Sequence, residues 1–169
     1  MALTSYAIAL GSNRRHGRHG APAETLRAAV AAIEEQGFDV EALSAVRATP
    51  ALGPAGRAFA NAAALVSASL DPPDLLKQLK ATEEWFGRRP GRRWGPRVLD
   101  LDIILWSEGA WEGAGLVIPH PSFRTRRFVL EPLAEIAPGW RDPMTGLTVR
   151  QLAARQAART PVDRHGRRA

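Results

Sequence analysis

Two aspartates stand two residues apart inside an otherwise apolar stretch, Val98-Leu99-Asp100-Leu101-Asp102-Ile103-Ile104-Leu105-Trp106. Strand side chains alternate with period two. A strand here therefore puts Asp100 and Asp102 on one face and Leu99, Leu101, Ile103 and Leu105 on the other. The chain must then build a sheet with a core behind this strand and a polar site in front of it. Two unpaired carboxylates about 7 Å apart repel by roughly 2 kcal/mol at an effective dielectric of about 20. A divalent cation reverses that penalty, and Mg²⁺ is typically held by one or two carboxylates together with phosphate oxygens.

Just upstream lie Arg88, Arg89, Arg92, Arg93 and Arg97. Guanidinium forks match phosphate geometry. One reading is a surface where arginines neutralise aspartates as ion pairs. The other is a magnesium–polyphosphate site, brought level with the first by the surplus of arginines over carboxylates. The net charge of +6 points the same way, toward nucleic acid, an anionic membrane surface or a phosphate-rich small molecule.

At 169 residues and 45% hydrophobic content the chain is expected to form one globular domain over residues 1–158, with residues 159–169 a disordered basic tail. It has no cysteine, which excludes a disulfide framework and a thiolate zinc site. The start, Met1-Ala-Leu-Thr-Ser-Tyr-Ala-Ile-Ala-Leu, lacks a basic leader, and no apolar run approaches the roughly 20 residues needed to span a bilayer. The expectation is a cytoplasmic, monomeric protein without membrane or nucleic-acid partners.

The pattern predicts a strand over residues 6–10 and a basic loop over 14–20. A helix follows, with Pro22 near its start and Gly37 as its stop. A strand of imperfect alternation is expected over 38–49. The Ala-rich run 59–70 fits strand or helix, and a helix covers 74–86. The aspartate strand ends near Trp106, residues 109–115 make turns, and 116–118 form a short strand. Helices are predicted over 128–136 and, as an amphipathic piece, 147–158. The order β-α-β-β-α-β predicts an α+β fold: a ferredoxin-like core with C-terminal additions, its helices packed on a mainly antiparallel sheet.

No G-x-x-x-x-G-K-[ST] or G-x-G-x-x-G motif is present, so a nucleotide would be gripped by side chains rather than by a backbone cradle. His16, His19, His120 and His165 form no H-E-x-x-H pair, and there is no G-x-S-x-G elbow. His120, fixed between Pro119 and Pro121, fits a ligand contact and a structural hydrogen bond equally well.

Three segments together resemble the 6-hydroxymethyl-7,8-dihydropterin pyrophosphokinase family: Ala9-Leu10-Gly11-Ser12-Asn13, Arg93-Trp94-Gly95-Pro96-Arg97-Val98-Leu99-Asp100-Leu101-Asp102 and Ile118-Pro119-His120-Pro121. Thr49-Pro50, Asn61-Ala62-Ala63, Gly87-Arg88 and Arg126–Leu133 match in the same order, so the likeness covers about residues 5 to 140. The resemblance implies transfer of diphosphate from MgATP to the pterin hydroxymethyl oxygen, with release of AMP.

By position it implies that Asp100 and Asp102 hold two Mg²⁺ ions. Arg88 and Arg97 contact the phosphates, and Asp102 assists the reacting hydroxyl. For the pterin it implies Asn61 at the heterocycle edge, Phe59 and Phe128 around the ring, and backbone groups at Thr49, Pro50 and Leu52. Glu83, Arg88, Arg93, Trp94, Arg97, Ile103, His120 and Arg126 are implied on the ATP side. Loop 87–95 is expected to close over the substrates.

The chain departs from the family at the loop after Asn13, at Lys80 where a glutamine is common, and at Gly115 where some members carry a basic residue. Two other classes fit parts of the pattern. A basic RNA-binding module suits the charge but lacks the aromatic pattern on central strands. A D-x-D phosphatase or nuclease suits the aspartates alone.

Overall fold

The computed structural model describes residues 2–13, 20–49, 59–87 and 98–159. Pro50, Leu52, Arg88, Arg93, Trp94 and Arg97 lie outside them, as do the closing loop from residue 88 onward and the tail beyond residue 159.

Strand β1 (Thr4–Ser12) leads to helix α1 (Pro22–Glu35), which ends at Gly37 with φ +90°. Then come β2 (Asp39–Leu43), β3 (Arg47–Thr49), β4 (Phe59–Ala68), α2 (Pro72–Gly87) and β5 (Asp100–Trp106). The ambiguous Ala-rich run is therefore a strand. It pairs with β1 over nine positions, and this ladder outweighs alanine's helical preference.

The antiparallel sheet runs β2-β4-β1-β5, with β3 also on β4. This is the ferredoxin-like arrangement that the element order predicts. A hairpin of β6 (Trp111–Gly113) and β7 (Leu116–Ile118), a 3-10 turn (Phe123–Thr125), α3 (Arg127–Ile136) and α4 (Val149–Arg159) form the C-terminal additions.

The single strand expected over 38–49 is two strands. Between them the Ser44 hydroxyl accepts the Ala63 N–H at 2.9 Å, replacing a ladder carbonyl, while the Ser44 N–H donates to the Ala63 carbonyl. The chain turns at Ser44 without leaving β4 unsatisfied. In the stretch expected to be turns only, residues 111–113 form β6.

The two sheet faces carry different layers. Tyr6, Ile8, Leu10, Leu101 and Ile103 pack with Leu26 and Ile33 of α1 and Leu75, Leu79 and Phe86 of α2. On the other face Ala7, Leu65, Ile104 and Leu105 pack with Val129, Leu130 and Leu133 of α3 and Val149 and Leu152 of α4. Leu105 thus lies opposite the face predicted for it. The β1–β5 register goes from Ile8↔Ile103 to Ala7↔Leu105, so Ile104 is an extra residue and the alternation slips by one. The bulge moves Leu105 onto the face covered by α3 and α4. Asp100 and Asp102, upstream of it, share the face of Ile104.

Candidate active site

Small residues make the floor. One row of the sheet runs Arg47, Asn61, Gly11, Asp100 from β3 through β4 and β1 to β5. The next row on the same face runs Ala63, Ala9, Asp102. With only Ala9 and Gly11 on the central strand, a cavity of about 580 Å³ opens above it. Asn61, Asp100, Asp102, Ile104, Phe59, Arg126 and Phe128 line it, with Ser12 and Asn13 at the end of β1. A Cβ on Gly11 would stand 3.4 Å from Asn61 Oδ1.

Walls come from two elements. Phe59 opens β4 and Phe128 lies in the first turn of α3; both keep close to half of their surface exposed, at 44% and 51%. Exposed phenyl rings flanking a cavity suit a flat heteroaromatic guest. The Arg126 guanidinium sits 5.8 Å from the Phe128 ring centroid, a cation–π distance. Thr49 pairs with Phe59 through β3, which brings its backbone to the same end of β4.

His120 anchors to the edge of β5, its N–H donating to the Ile104 carbonyl at 3.0 Å. Its Nδ1 accepts the Ser122 N–H at 3.1 Å, which leaves Nε2 to carry the proton of the neutral ring. Burial pushes its pKa below the usual histidine value. Arg126 and Lys80 add to that effect and Asp102 opposes it.

Glu83 and Ile103 lie elsewhere. The Ile103 side chain is in the core beneath α1 and α2, so only its backbone is open to a ligand. Glu83, on α2, accepts the Leu101 N–H with Oε1 at 2.7 Å and a hydrogen bond from Lys80 Nζ at 2.9 Å, at the outer edge of β5.

Sequence reasoning missed the floor, although Ala7, Ala9 and Gly11 alternate with Tyr6, Ile8 and Leu10 in plain view. It also missed Asn13, whose Oδ1 is buried with no hydrogen-bond partner among the described residues. A further miss is Asp142, fully buried and held by Arg124 Nε at 2.5 Å and Nη2 at 2.8 Å. The Thr145 hydroxyl and the Met144 N–H also donate to it. Arg124, foremost through its hydrogen bonds, holds the Asp142 carboxyl at about 2. That pair ties the loop before α4 to the 3-10 turn leading into Arg126 and Phe128.

Among the described residues no three His, Cys, Asp or Glu side chains cluster as a metal cage. The Asp100–Asp102 pair offers hard oxygen donors in a cavity and leaves most of a coordination shell to other oxygens. That fits Mg²⁺ shared with phosphates and not tetrahedral zinc.

An α+β sheet presenting a carboxylate pair, an amide, an arginine and two phenyl rings to one cavity has the makings of a small-molecule group-transfer enzyme. The sequence model of the 7,8-dihydro-6-hydroxymethylpterin-pyrophosphokinase (HPPK) family matches residues 7–138. The 2-amino-4-hydroxy-6-hydroxymethyldihydropteridine pyrophosphokinase of Synechocystis sp. is 43% identical over 137 residues, 80% of this chain and 70% of that protein. The protein of the same name from Pseudomonas aeruginosa is 41% identical over 138 residues, 80% of this chain and 82% of that one. The fold also matches a crystal structure of Plasmodium falciparum HPPK-DHPS with TM-score 0.70 at 14% identity, covering 94% of this chain and 42% of that one. The chain thus spans less than half of the Plasmodium protein's length. It belongs to the 7,8-dihydro-6-hydroxymethylpterin-pyrophosphokinase family.

Proposed function

We propose that this protein transfers diphosphate from MgATP to the hydroxymethyl oxygen of 6-hydroxymethyl-7,8-dihydropterin, giving AMP and the pterin diphosphate, a step of folate synthesis. The observation that carries the reading is the row Asn61–Gly11–Asp100. Neighbouring strands lie about 4.8 Å apart, so the backbones at Asn61 and Asp100 are roughly 10 Å apart, with no side chain between them. A flat bicycle lying over Gly11 can meet the Asn61 amide with its pyrimidine edge and carry its hydroxymethyl arm to the carboxylates.

In the reaction the hydroxymethyl oxygen attacks the β-phosphorus of ATP, the bond from that phosphorus to the α–β bridging oxygen breaks, and AMP leaves. Asp100 and Asp102 would hold two Mg²⁺ ions, which when bound supply charge neutralisation and acidify the hydroxyl. Phe59 and Phe128 cover the ring, with the Thr49, Pro50 and Leu52 backbone completing its hydrogen bonds. Asn61 fixes its orientation and leaves the arm in line for attack. Asp102 would assist with the hydroxyl proton. Arg126, with Arg88, Arg93, Trp94, Arg97 and His120, meets the nucleotide; Ile103 contributes backbone only.

A cavity floored by alanine and glycine and rimmed by two carboxylates suits a small metal-bound substrate better than a nucleic-acid backbone, which those carboxylates repel. Among the described residues no helix is long and apolar enough to cross a membrane. The reading takes the protein as a monomer working in the cytoplasm, where MgATP is plentiful; light scattering in solution checks the first point.

The test is an incubation with MgATP, with and without the pterin, followed by separation of nucleotides. Pterin-dependent AMP is expected. ADP in place of AMP, or phosphate release without pterin, overturns the reading.

A further inference from the structure

Among the described residues strand β5 is an edge of the main sheet, so the backbone groups on its outer side find no strand partner there. At Leu101, the residue between the two aspartates, helix α2 covers that edge. Glu83 Oε1 accepts the Leu101 N–H at 2.7 Å, and Lys80 Nζ donates to the same oxygen at 2.9 Å while standing 3.5 Å from the Leu101 carbonyl. The two side chains reach the strand together because residues three apart share a helix face.

Glu83 keeps only 9% of its side chain exposed, and the Leu101 side chain is fully buried in the core below. Leu101 is therefore gripped by its side chain from one side and by its backbone from another. The grip matters because the bulge at Ile104 lies three residues on. A strand that already absorbs one extra residue can shift its pairing there, and a one-residue slip would turn the aspartates into the core.

We propose that Lys80 and Glu83 are positioning residues that lock the register and spacing of Asp100 and Asp102 for metal binding by clamping the backbone between them. Glu83 thereby acts on the strand backbone at the outer edge of β5. The proposal rests on Asp100 and Asp102 being metal ligands.

The test titrates Mn²⁺, observed by its paramagnetic resonance, into the full chain with a non-hydrolysable ATP analogue. Pterin binding is followed in parallel by tryptophan fluorescence. Asp102→Ala serves as the reference: Mn²⁺ binding unaffected by it removes the metal reading itself, separately from the clamp. Given that reference, Glu83→Ala should weaken Mn²⁺ by about tenfold, the scale at which residues that orient metal ligands act, with pterin affinity held within about twofold. Glu83→Gln should restore Mn²⁺ affinity, because an amide oxygen accepts the same two hydrogen bonds. Lys80→Ala, at a half-exposed position, should cost about threefold.

Unchanged Mn²⁺ affinity in Glu83→Ala and Lys80→Ala overturns the clamp. So does a Glu83→Gln variant as weak as Glu83→Ala, which would make the charge and not the hydrogen bonds the active feature. An equal loss of Mn²⁺ and pterin overturns it too. If Glu83→Ala does not fold, Lys80→Ala and Glu83→Gln decide.

Discussion

Asn61 and Asp100 stand in one row of the sheet, on opposite sides of Gly11, so that the amide and the carboxylate look across a glycine. Their separation is set by strand spacing alone, and it changes only if something grows between them. Gly11→Val places a branched side chain in that gap, on a strand that tolerates it well. We expect pterin KM to rise at least about tenfold, the scale of an extra methylene in a fitted pocket, with ATP KM and the unfolding temperature little changed. Steady-state kinetics with each substrate varied in turn measures this.

Asp100→Ala and Asp102→Ala should lower kcat by on the order of 10³, as removal of one charge-stabilising group does in phosphoryl transfer. Pterin binding, followed by fluorescence, should stay within a few-fold. Two fully active variants would show that neither carboxylate holds the metal.

Asn61→Ala removes the donor and acceptor that read the heterocycle edge. The loss of a paired polar contact in a closed site is worth about 2 kcal/mol, or roughly 30-fold in pterin affinity. Isothermal titration with the pterin alone reads it without any contribution from turnover.

The Arg124–Asp142 pair gives a pH signature. The Asp142 carboxyl is held at about 2 by the Arg124 hydrogen bonds, below its value of about 3.9 in an unfolded chain. A depressed folded value contributes stability that is fully present above the unfolded value and is lost as pH falls through the folded one. Asp142→Asn should therefore cost about 3 kcal/mol at pH 7, leaving a partly buried guanidinium without its charge partner. Urea unfolding from pH 7 to pH 3 should show the gap to the native chain narrowing below about pH 4. Because Arg124 lies in the turn before Arg126 and Phe128, pterin KM should rise as well.

Much of this was readable from the chain. Proline at the start of α1 and glycine after it, the element order, and two aspartates facing away from leucines are local signals, and the local chemistry decided them. Other features depend on partners distant in sequence. The Ile104 bulge lies in the pairing of β5 with β1, and no residue in Leu101–Trp106 announces it. The break at Ser44 depends on a hydroxyl reaching Ala63. The Asp142 lock spans 18 residues to Arg124, and its residues look like ordinary loop composition. Of the residues implied for the site, Asn61, Phe59, Phe128, Arg126, Asp100 and Asp102 line one cavity, whereas Glu83 sits at the outer edge of β5 and the Ile103 side chain lies in the core. Family likeness names positions, but it does not say on which side of the sheet each one works.

The floor of Ala9 and Gly11 has a thermodynamic consequence. Helices α3 and α4 roof one half of that sheet face, and among the described residues no helix roofs the half that carries Asn61 and the aspartates. Among the described residues the sandwich is thus incomplete on that half, and a heterocycle bound as proposed would supply the layer that covers it. On the proposed function, substrate recognition would be the last step of core formation, carried out by a molecule that the chain does not encode.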